Sequence, residues 1–272
     1  MEQLIFDIGM HTGKDTEFYL KKGFRVVAIE ANPELVDQAK INFKNEIING
    51  KLVIINKAIA PEDISEIDFY INNDKDDWGT IIPDWNSSMS TNFRLIKVPT
   101  TNLSQIIKEY GIPYYIKIDI EGADELCLKS LLDSKITIPE YISVELLSPN
   151  NLKGKKVDSL QLLCLLYALG YRKFKVSDQS LNNKLKSPNP ALEGIYTDFS
   201  FGFHNSGLFG KELTSKYFSI DEISQMYLNY FYKSEINLIK LMKKVLSKSN
   251  FSVFNKGQVF HTNGWFDVHA SK

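Results

Sequence analysis

The chain has 272 residues, of which 43% are hydrophobic and 24% are charged, and its formal net charge is −1. This composition is typical of a globular protein, and the length is sufficient for one large α/β domain or for one domain with a modest cap. The net charge gives no sign of the overall basicity that indicates a nucleic-acid or membrane-surface partner. No apolar run approaches the length of a transmembrane helix, and the first predicted strand begins too close to Met1 for a signal peptide, so we expect a cytoplasmic protein with no membrane partner.

The first part of the chain alternates short apolar runs with amphipathic segments. The predicted elements are a strand at 3–8, a helix at 13–22, a strand at 25–30, a helix at 32–45 and a strand at 51–59. Asn32 suits a helix N-cap, and Pro33 suits the first helical position. This β-α-β-α-β order with short connections predicts a parallel sheet with right-handed crossovers.

The middle of the chain continues this alternation around one long polar segment. The predicted elements are a strand at 66–71, an aperiodic polar segment at 72–94, a helix near 102–110, a strand at 114–119, a helix at 123–133 and a strand at 141–146. A segment like 72–94 is typical of a functional or disordered loop. Its Trp78 and Trp85 fit either sugar stacking or simple packing of the loop.

The alternation breaks in the last part of the chain. The predicted elements are a helix at about 155–169, a strand at 171–176, an irregular region at 177–218 with a strand-like stretch at 198–204, a helix at 219–247 and a final strand at 265–270. We predict a single domain spanning residues 1–272, with cap-like segments near 72–94 and 177–247.

Four carboxylates fall at or near the ends of predicted strands. They are Asp7, Glu30, Asp119 and Glu145. Ligands of open parallel sheets bind at the carboxyl ends of the strands, so these side chains are candidates for a binding site. Each could instead cap a helix or pair with a lysine, but that explanation weakens for four carboxylates in register.

The turn after the first strand narrows the choice of ligand. In LIFDIGMHTGKD, Gly9 and Gly13 are four residues apart and follow Asp7. A dinucleotide pyrophosphate favours G-x-G-x-x-G, and Asp7 would repel it. A cationic sulfonium with an ammonium group suits Asp7, and the adenosine ribose suits Glu30, which favours S-adenosylmethionine. The alternatives are an NAD(P)-dependent oxidoreductase and a non-catalytic nucleotide-binding module.

Successive motifs in residues 4–147 resemble those of the FkbM family of methyltransferases. They are FDIGMHTGKD, VVAIEANP, KAI, VPTTNLSQII, YIKIDIEGAD and ISVEL. The most distinctive is IKIDIEGAD at 116–124, which is similar to the family's lysine-aspartate-glutamate-glycine signature. His11 stands where many members of the family have asparagine.

The resemblance implies a class I methyltransferase (Rossmann-like) fold: a mostly parallel sheet with helices on both faces and a C-terminal insertion before the last strand. It also implies S-adenosylmethionine as the cofactor and O-methylation of a hydroxyl of a sugar, glycoside or other small metabolite. The residues expected at the cofactor are Asp7, Gly9, His11, Gly13, Thr16, Glu30, Ala31, Asn32, Asn56, Lys57, Ala58, Asp119 and Ile120.

A sugar hydroxyl is a poor nucleophile, so a nearby base would help its methylation. The carboxylate candidates are Glu121, Asp119 and Glu145, and the histidine candidates are His11, His204 and His269. Carboxylates could instead hold a divalent cation that polarises the acceptor. The sequence contains no dense ligand motif, so we expect no metal. We also expect a small-molecule substrate and no nucleic-acid partner, and the oligomeric state stays open.

Overall fold

The computed structural model describes residues 3–74, 78–83, 92–146, 159–202, 205–235 and 266–272. Within them it confirms the predicted α/β architecture, which is a mostly parallel sheet with helices on both faces and an insertion before the last strand. No helix in these ranges combines the length and the apolar character needed to cross a membrane.

The strands follow the predicted order, with two additions. In chain order they are β1 (Leu4–Ile8), β2 (Arg25–Glu30), β3 (Leu52–Asn56), β4 (Ala58–Ile59), β5 (Glu66–Asn72), β6 (Phe93–Thr101), β7 (Tyr115–Ile118), β8 (Tyr141–Leu146), β9 (Lys173–Asp178) and β10 (Phe266–Ser271).

The helices lie between these strands. In chain order they are α1 (Lys14–Lys21), α2 (Pro33–Asn42), α3 (Lys44–Ile48), α4 (Leu103–Tyr110), α5 (Asp124–Ser134), α6 (Ser159–Ala168) and α7 (Ile220–Glu235). A short 3₁₀ helix, Gln179–Lys184, follows β9.

The large sheet has the strand order β3-β2-β1-β7-β8-β10-β9. Its first five strands are parallel, and β10 runs antiparallel to both β8 and β9. The carboxyl ends of β1, β2, β7 and β8 therefore meet at one edge, together with the start of β10. A ligand site is expected at this edge of the sheet.

Local sequence explains several helix boundaries. The side chain of Asn32 accepts a hydrogen bond from the Glu34 N–H at 3.0 Å, and Pro33 occupies the first turn of α2, as predicted. The side chain of Asn102 caps α4 in the same way, by accepting from the Gln105 N–H at 3.0 Å. These caps satisfy backbone donors that have no partner within the helix.

The two faces of the sheet have different cores. On one face, alternate apolar strand residues pack against α4, α5, α6 and α7. On the other face, α1 and α2 pack together with part of the insertion, including Phe201, Leu208 and Phe209. This part of the insertion is joined to α1 by a fully buried ion pair, in which Lys22 Nζ lies 2.9 Å from Glu212 Oε1.

Two predicted elements are divided in the structure. The predicted strand at 51–59 is interrupted at Lys57, so that β3 stays in the large sheet and β4 pairs with β6. The predicted helix at 32–45 is interrupted at Phe43, whose φ of −107° and ψ of 27° are not helical. Strand β6 itself was not predicted, and it forms a second sheet of order β4-β6-β5.

The strand predicted at 198–204 is wrong for residues 198–202, which form no strand. The alternation there has another cause, since Phe199 and Phe201 both pack on Phe18, with ring centroids 5.0 Å and 4.8 Å away. Parts of other predictions lie outside the described residues: 203–204, the ends of the helices at 155–158 and 236–247, and Trp85.

Candidate active site

A cavity opens at the carboxyl edge of the sheet, between the ends of β1, β2 and β7 and the second sheet. It encloses about 550 Å³, including its open mouth. The residues that line it are Gly9, His11, Glu30, Ala31, Ala58, Ile59, Phe69, Gly79, Thr80, Ile81, Asp119, Ile120, Glu121 and Ala123. Eight of these were predicted as site residues: Gly9, His11, Glu30, Ala31, Ala58, Asp119, Ile120 and Glu121.

Glu30, the last residue of β2, is held rigidly by backbone donors. Its Oε2 accepts a hydrogen bond from the His11 N–H and its Oε1 accepts one from the Asn32 N–H, both at 2.8 Å. Burial raises the pKa of Glu30, while these two N–H groups lower it. A carboxylate has about four acceptor positions, so capacity remains for hydroxyl groups of a ligand.

The turn after β1 requires glycine for a steric reason. Gly9 has a φ of +85°, and a Cβ placed there would lie 1.9 Å from the backbone oxygen of Asp119. Gly9 thus permits the close approach of the β1 and β7 ends that forms the cavity floor. Gly13 has a φ of +81° and faces the Phe43 ring, so it packs between helices and does not line the cavity.

Asp7 and Thr16 lie beneath this floor. Both are fully buried, and the Thr16 hydroxyl donates a hydrogen bond to Asp7 Oδ2 at 2.6 Å. Burial raises the pKa of Asp7 to about 6, against the effect of the Lys117 ammonium, which lies 3.7 Å from Asp7 Oδ1. Neither residue lines the cavity, so direct contact of either with a cofactor stays a prediction.

Lys117 connects several carboxylates under the cavity. Its Nζ lies 3.2 Å from Asp15 and 3.4 Å from Asp119, and it donates to the backbone oxygen of Gly9 at 3.3 Å. Burial alone would lower the pKa of Lys117, but Asp119, Asp15 and Asp7 raise it well above its usual value. This lysine is therefore charged, and it holds the ends of β1 and β7 together.

Three predicted catalytic residues come together at the end of the cavity near β8. One carboxylate oxygen each of Asp119, Glu121 and Glu145 lies within 4.8 Å of the other two. Glu121 has a left-handed φ of +50°, and its backbone oxygen accepts a hydrogen bond from the Thr80 hydroxyl at 2.9 Å. Burial and the charges of Asp119 and Glu121 raise the pKa of Glu145 well above its usual value.

The remaining predicted cofactor residues, Asn32, Asn56 and Lys57, do not line the cavity. The Asn56 amide donates to the backbone oxygens of Glu30 and Ala31 at 2.9 Å and 3.1 Å, and so supports the end of β2. Asn32 caps α2 and donates its N–H to Glu30. The side chain of Lys57 is exposed.

The histidine candidates have different positions. His11 lines the cavity. His269 is buried on β10, with its ring stacked 6.3 Å from that of Tyr115, and burial together with Lys175 lowers its pKa to about 3. It is neutral and outside the cavity, whereas His204 lies outside the described residues.

Six lining residues were not predicted from the sequence: Ile59, Phe69, Gly79, Thr80, Ile81 and Ala123. The only signal for residues 79–81 was their position in the long aperiodic segment at 72–94. Their place at the cavity depends on pairing between Tyr70 and Thr80, which no local pattern indicates.

The solved structures that match this chain have low sequence identity to it. Precorrin-6y C5,15-methyltransferase from Geobacter metallireducens GS-15 is 11% identical, with 100% of this chain and 80% of that chain covered and a TM-score of 0.38. A SAM-dependent methyltransferase from Archaeoglobus fulgidus is 12% identical, with 100% and 86% covered and a TM-score of 0.41. An rRNA methylase from Streptococcus thermophilus is 10% identical, with 71% and 82% covered and a TM-score of 0.33. Likeness at this level carries no argument about the substrate.

Sequence comparison is more informative about the family. Comparison with curated proteins gives no significant match. The sequence model described as Methyltransferase FkbM domain matches residues 7–173, which are more than half of the chain and run from the end of β1 to the first residue of β9. They include all the described residues that line the cavity. The family implies S-adenosylmethionine as the methyl donor. The chain therefore belongs to the FkbM-domain methyltransferase family.

Proposed function

We propose that this protein transfers the methyl group of S-adenosylmethionine to a hydroxyl oxygen of a sugar, a glycoside or another small metabolite. The observation that carries the proposal is the charge of the cavity. Among the described residues that line it are three carboxylates, Glu30, Asp119 and Glu121, and no lysine or arginine. Such a cavity suits a ligand with a sulfonium and an ammonium group, and it disfavours pyrophosphates and other polyanions.

In this proposal the cofactor lies along the edge of the sheet. Glu30, which is oriented by two backbone N–H groups, accepts hydrogen bonds from the ribose hydroxyls. The adenine packs among Ala31, Ala58 and Ile59, and the methionine end lies near Gly9 and Asp119. Asp7 and Lys117 act from below by setting the charge and position of this floor.

The acceptor would approach from the side of Glu121 and Glu145. As the acceptor oxygen bonds to the methyl carbon, the carbon–sulfur bond breaks, and the hydroxyl proton passes to a carboxylate. Alignment of the oxygen with the sulfonium supplies much of the catalysis. Glu121, Asp119 and Glu145 are the proposed proton acceptors.

The covering role proposed for residues 72–94 has support from Gly79, Thr80 and Ile81, which line the cavity. The insertion differs, because its residues Phe201, Leu208 and Phe209 pack on the core at α1. A cap function of 177–247, a cytoplasmic location and the lack of a nucleic-acid partner stay predictions.

Two measurements test the proposed function. Calorimetry should show binding of S-adenosylmethionine and of its demethylated product, and no binding of NAD. Isotope-labelled methyl donor should then label one or more members of a panel of sugars and glycosides, with the label located on oxygen by mass spectrometry. Exclusive labelling of an RNA included in the panel would overturn the choice of substrate, and binding of NAD in place of the methyl donor would overturn the reaction.

A further inference from the structure

The carboxylates at the ends of β7 and β8 have a geometry that suits cation binding as well as proton transfer. Oxygens of Asp119, Glu121 and Glu145 lie within 4.8 Å of one another. A divalent cation with oxygen ligands at about 2.0–2.6 Å holds those oxygens no more than about 4–5 Å apart. The three side chains can therefore bind one ion together.

A fourth carboxylate provides an independent observation. Asp267 on β10 is paired directly opposite Glu145 on β8, so both side chains lie on the same face of the sheet. Asp267 is 3% exposed, and its Oδ1 accepts a hydrogen bond from Gln179 at 2.8 Å. Its Oδ2 is buried and has no hydrogen-bond partner among the described residues. A buried carboxylate oxygen without a partner is costly, and a cation or a water bound to that cation removes the cost.

The ammonium group of Lys117 does not balance this charge. Lys117 Nζ lies 3.4 Å from Asp119, but it also lies 3.7 Å from Asp7 and 3.2 Å from Asp15. One positive charge is thus shared by three carboxylates before Glu145 and Asp267 are counted. An additional positive charge at the cluster would stabilise this arrangement.

We propose that Asp119, Glu121 and Glu145 bind a divalent cation, Mg²⁺ or Mn²⁺, and that Asp267 Oδ2 faces the ion or its water. Both are hard cations that prefer carboxylate and water oxygens. The ion lies where the acceptor side of the cavity meets β8, and a hydroxyl oxygen of the acceptor takes one of its open positions. This last point rests on the proposed function, whereas cation binding does not.

The test uses the full chain, treated with chelator and then titrated with Mn²⁺ alone, with binding followed by electron paramagnetic resonance and calorimetry. One saturable site is expected, with competition by Mg²⁺. Glu121→Gln and Glu145→Gln should each weaken Mn²⁺ binding at least tenfold. Glu125→Gln is the matched control, because Glu125 pairs with Lys129 at 3.2 Å outside the cluster and should leave binding unchanged.

Two results would overturn the site. One is the lack of saturable Mn²⁺ binding to the wild-type chain, and the other is equal binding by the wild type and both cluster variants. The wild-type titration decides the matter even where a variant does not fold. Calorimetry with S-adenosylmethionine on the same samples separates the two proposals, since methyl-donor binding without Mn²⁺ binding would remove the metal site and leave the proposed function in place.

Discussion

The two faces of the large sheet are built from the same strands, but different interactions stabilise them. In β7 the side chains of Ile116 and Ile118 enter the apolar core under α4 to α6, whereas Lys117 between them enters the network of carboxylates. In β8, Val144 enters the same apolar core, whereas the buried Ser143 lies on the other face, where its hydroxyl forms a hydrogen bond with the Tyr115 hydroxyl at 2.6 Å. One face is stabilised by the removal of apolar surface from water. The other face also has an apolar core, but at the carboxyl edge of the sheet it carries a charged network in which the placement of each charge matters.

Because of this difference, the two faces should differ in their tolerance of substitutions. Apolar packing is spread over many side chains, so that one lost methylene group has a limited effect. The charged network at the carboxyl edge depends on a few groups, and each of them leaves a buried charge or a steric conflict when it is altered.

The largest effect is expected at the turn that forms the floor of the cavity. Gly9→Ala should lower the free energy of unfolding by about 5 kcal/mol or more, because its Cβ would lie 1.9 Å from the Asp119 backbone oxygen at a φ of +85°. Gly50→Ala is the control, since Gly50 also has a positive φ, +70°, but no atom within 4 Å of a Cβ. It should cost about 1–2 kcal/mol. Similar losses in urea denaturation would show that φ alone matters at Gly9.

Adjacent residues of β7 allow a direct comparison of the two faces. Lys117→Met keeps the volume but leaves Asp7, Asp15 and Asp119 without their shared ammonium, and should cost about 3–5 kcal/mol. Ile116→Val removes one methylene from the apolar core and should cost about 0.5–1.5 kcal/mol. Equal losses of unfolding free energy at neutral pH would contradict the contrast between the faces.

Asp7 should make the stability of the protein dependent on pH. The carboxyl group ionises near 3.8 when unfolded and near 6 when folded, so the folded state binds the additional proton between these values. The free energy of unfolding therefore falls as pH rises through this window, by up to about 3 kcal/mol from this group. Asp7→Asn should flatten that part of the curve, measured by denaturation from pH 4 to 8. A variant curve parallel to that of the wild type would show that Asp7 ionises normally.

Substitution of Glu30 is expected to have the smallest effect on the stability of the fold. Its effect on ligand binding should nevertheless be large. Glu30→Ala should weaken S-adenosylmethionine binding by about a hundredfold, because a hydrogen bond to a charged group is worth about 1.5–3 kcal/mol. Glu34→Ala is the control, as Glu34 is exposed on α2 and pairs with Arg94 at 2.7 Å. If calorimetry gives the same dissociation constant for both variants, the ribose does not lie at Glu30.

The sequence predicted those parts of the fold and of the candidate site that depend on local hydrophobic periodicity. The apolar runs of β1, β2, β7 and β8 predicted a parallel sheet, and their ends correctly predicted that Glu30 and Asp119 lie at its carboxyl edge. The FkbM-like motifs added residues in the turns, such as His11 and Glu121, which also line the cavity.

The rest depends on pairings between distant parts of the chain. Strand β6 carries Pro99 and many exposed residues, so it lacks the period of a buried strand, and its pairing with β5 orders the second sheet. The juxtaposition of Asp267 and Glu145 requires the antiparallel entry of β10 beside β8. The alternating aromatics at 198–202 misled the prediction, because rings that pack on α1 have the same spacing as a strand.

The position of β10 has a consequence for synthesis of the protein on the ribosome. Strand β10 fills the place between β8 and β9, yet it is translated only after the whole insertion. Until then the backbone of β8 has an unpaired edge, which is a surface prone to wrong association. The nascent chain also has no Asp267 beside Glu145 during this interval. The acidic end of the cavity is therefore assembled late in folding, when β10 inserts between β8 and β9.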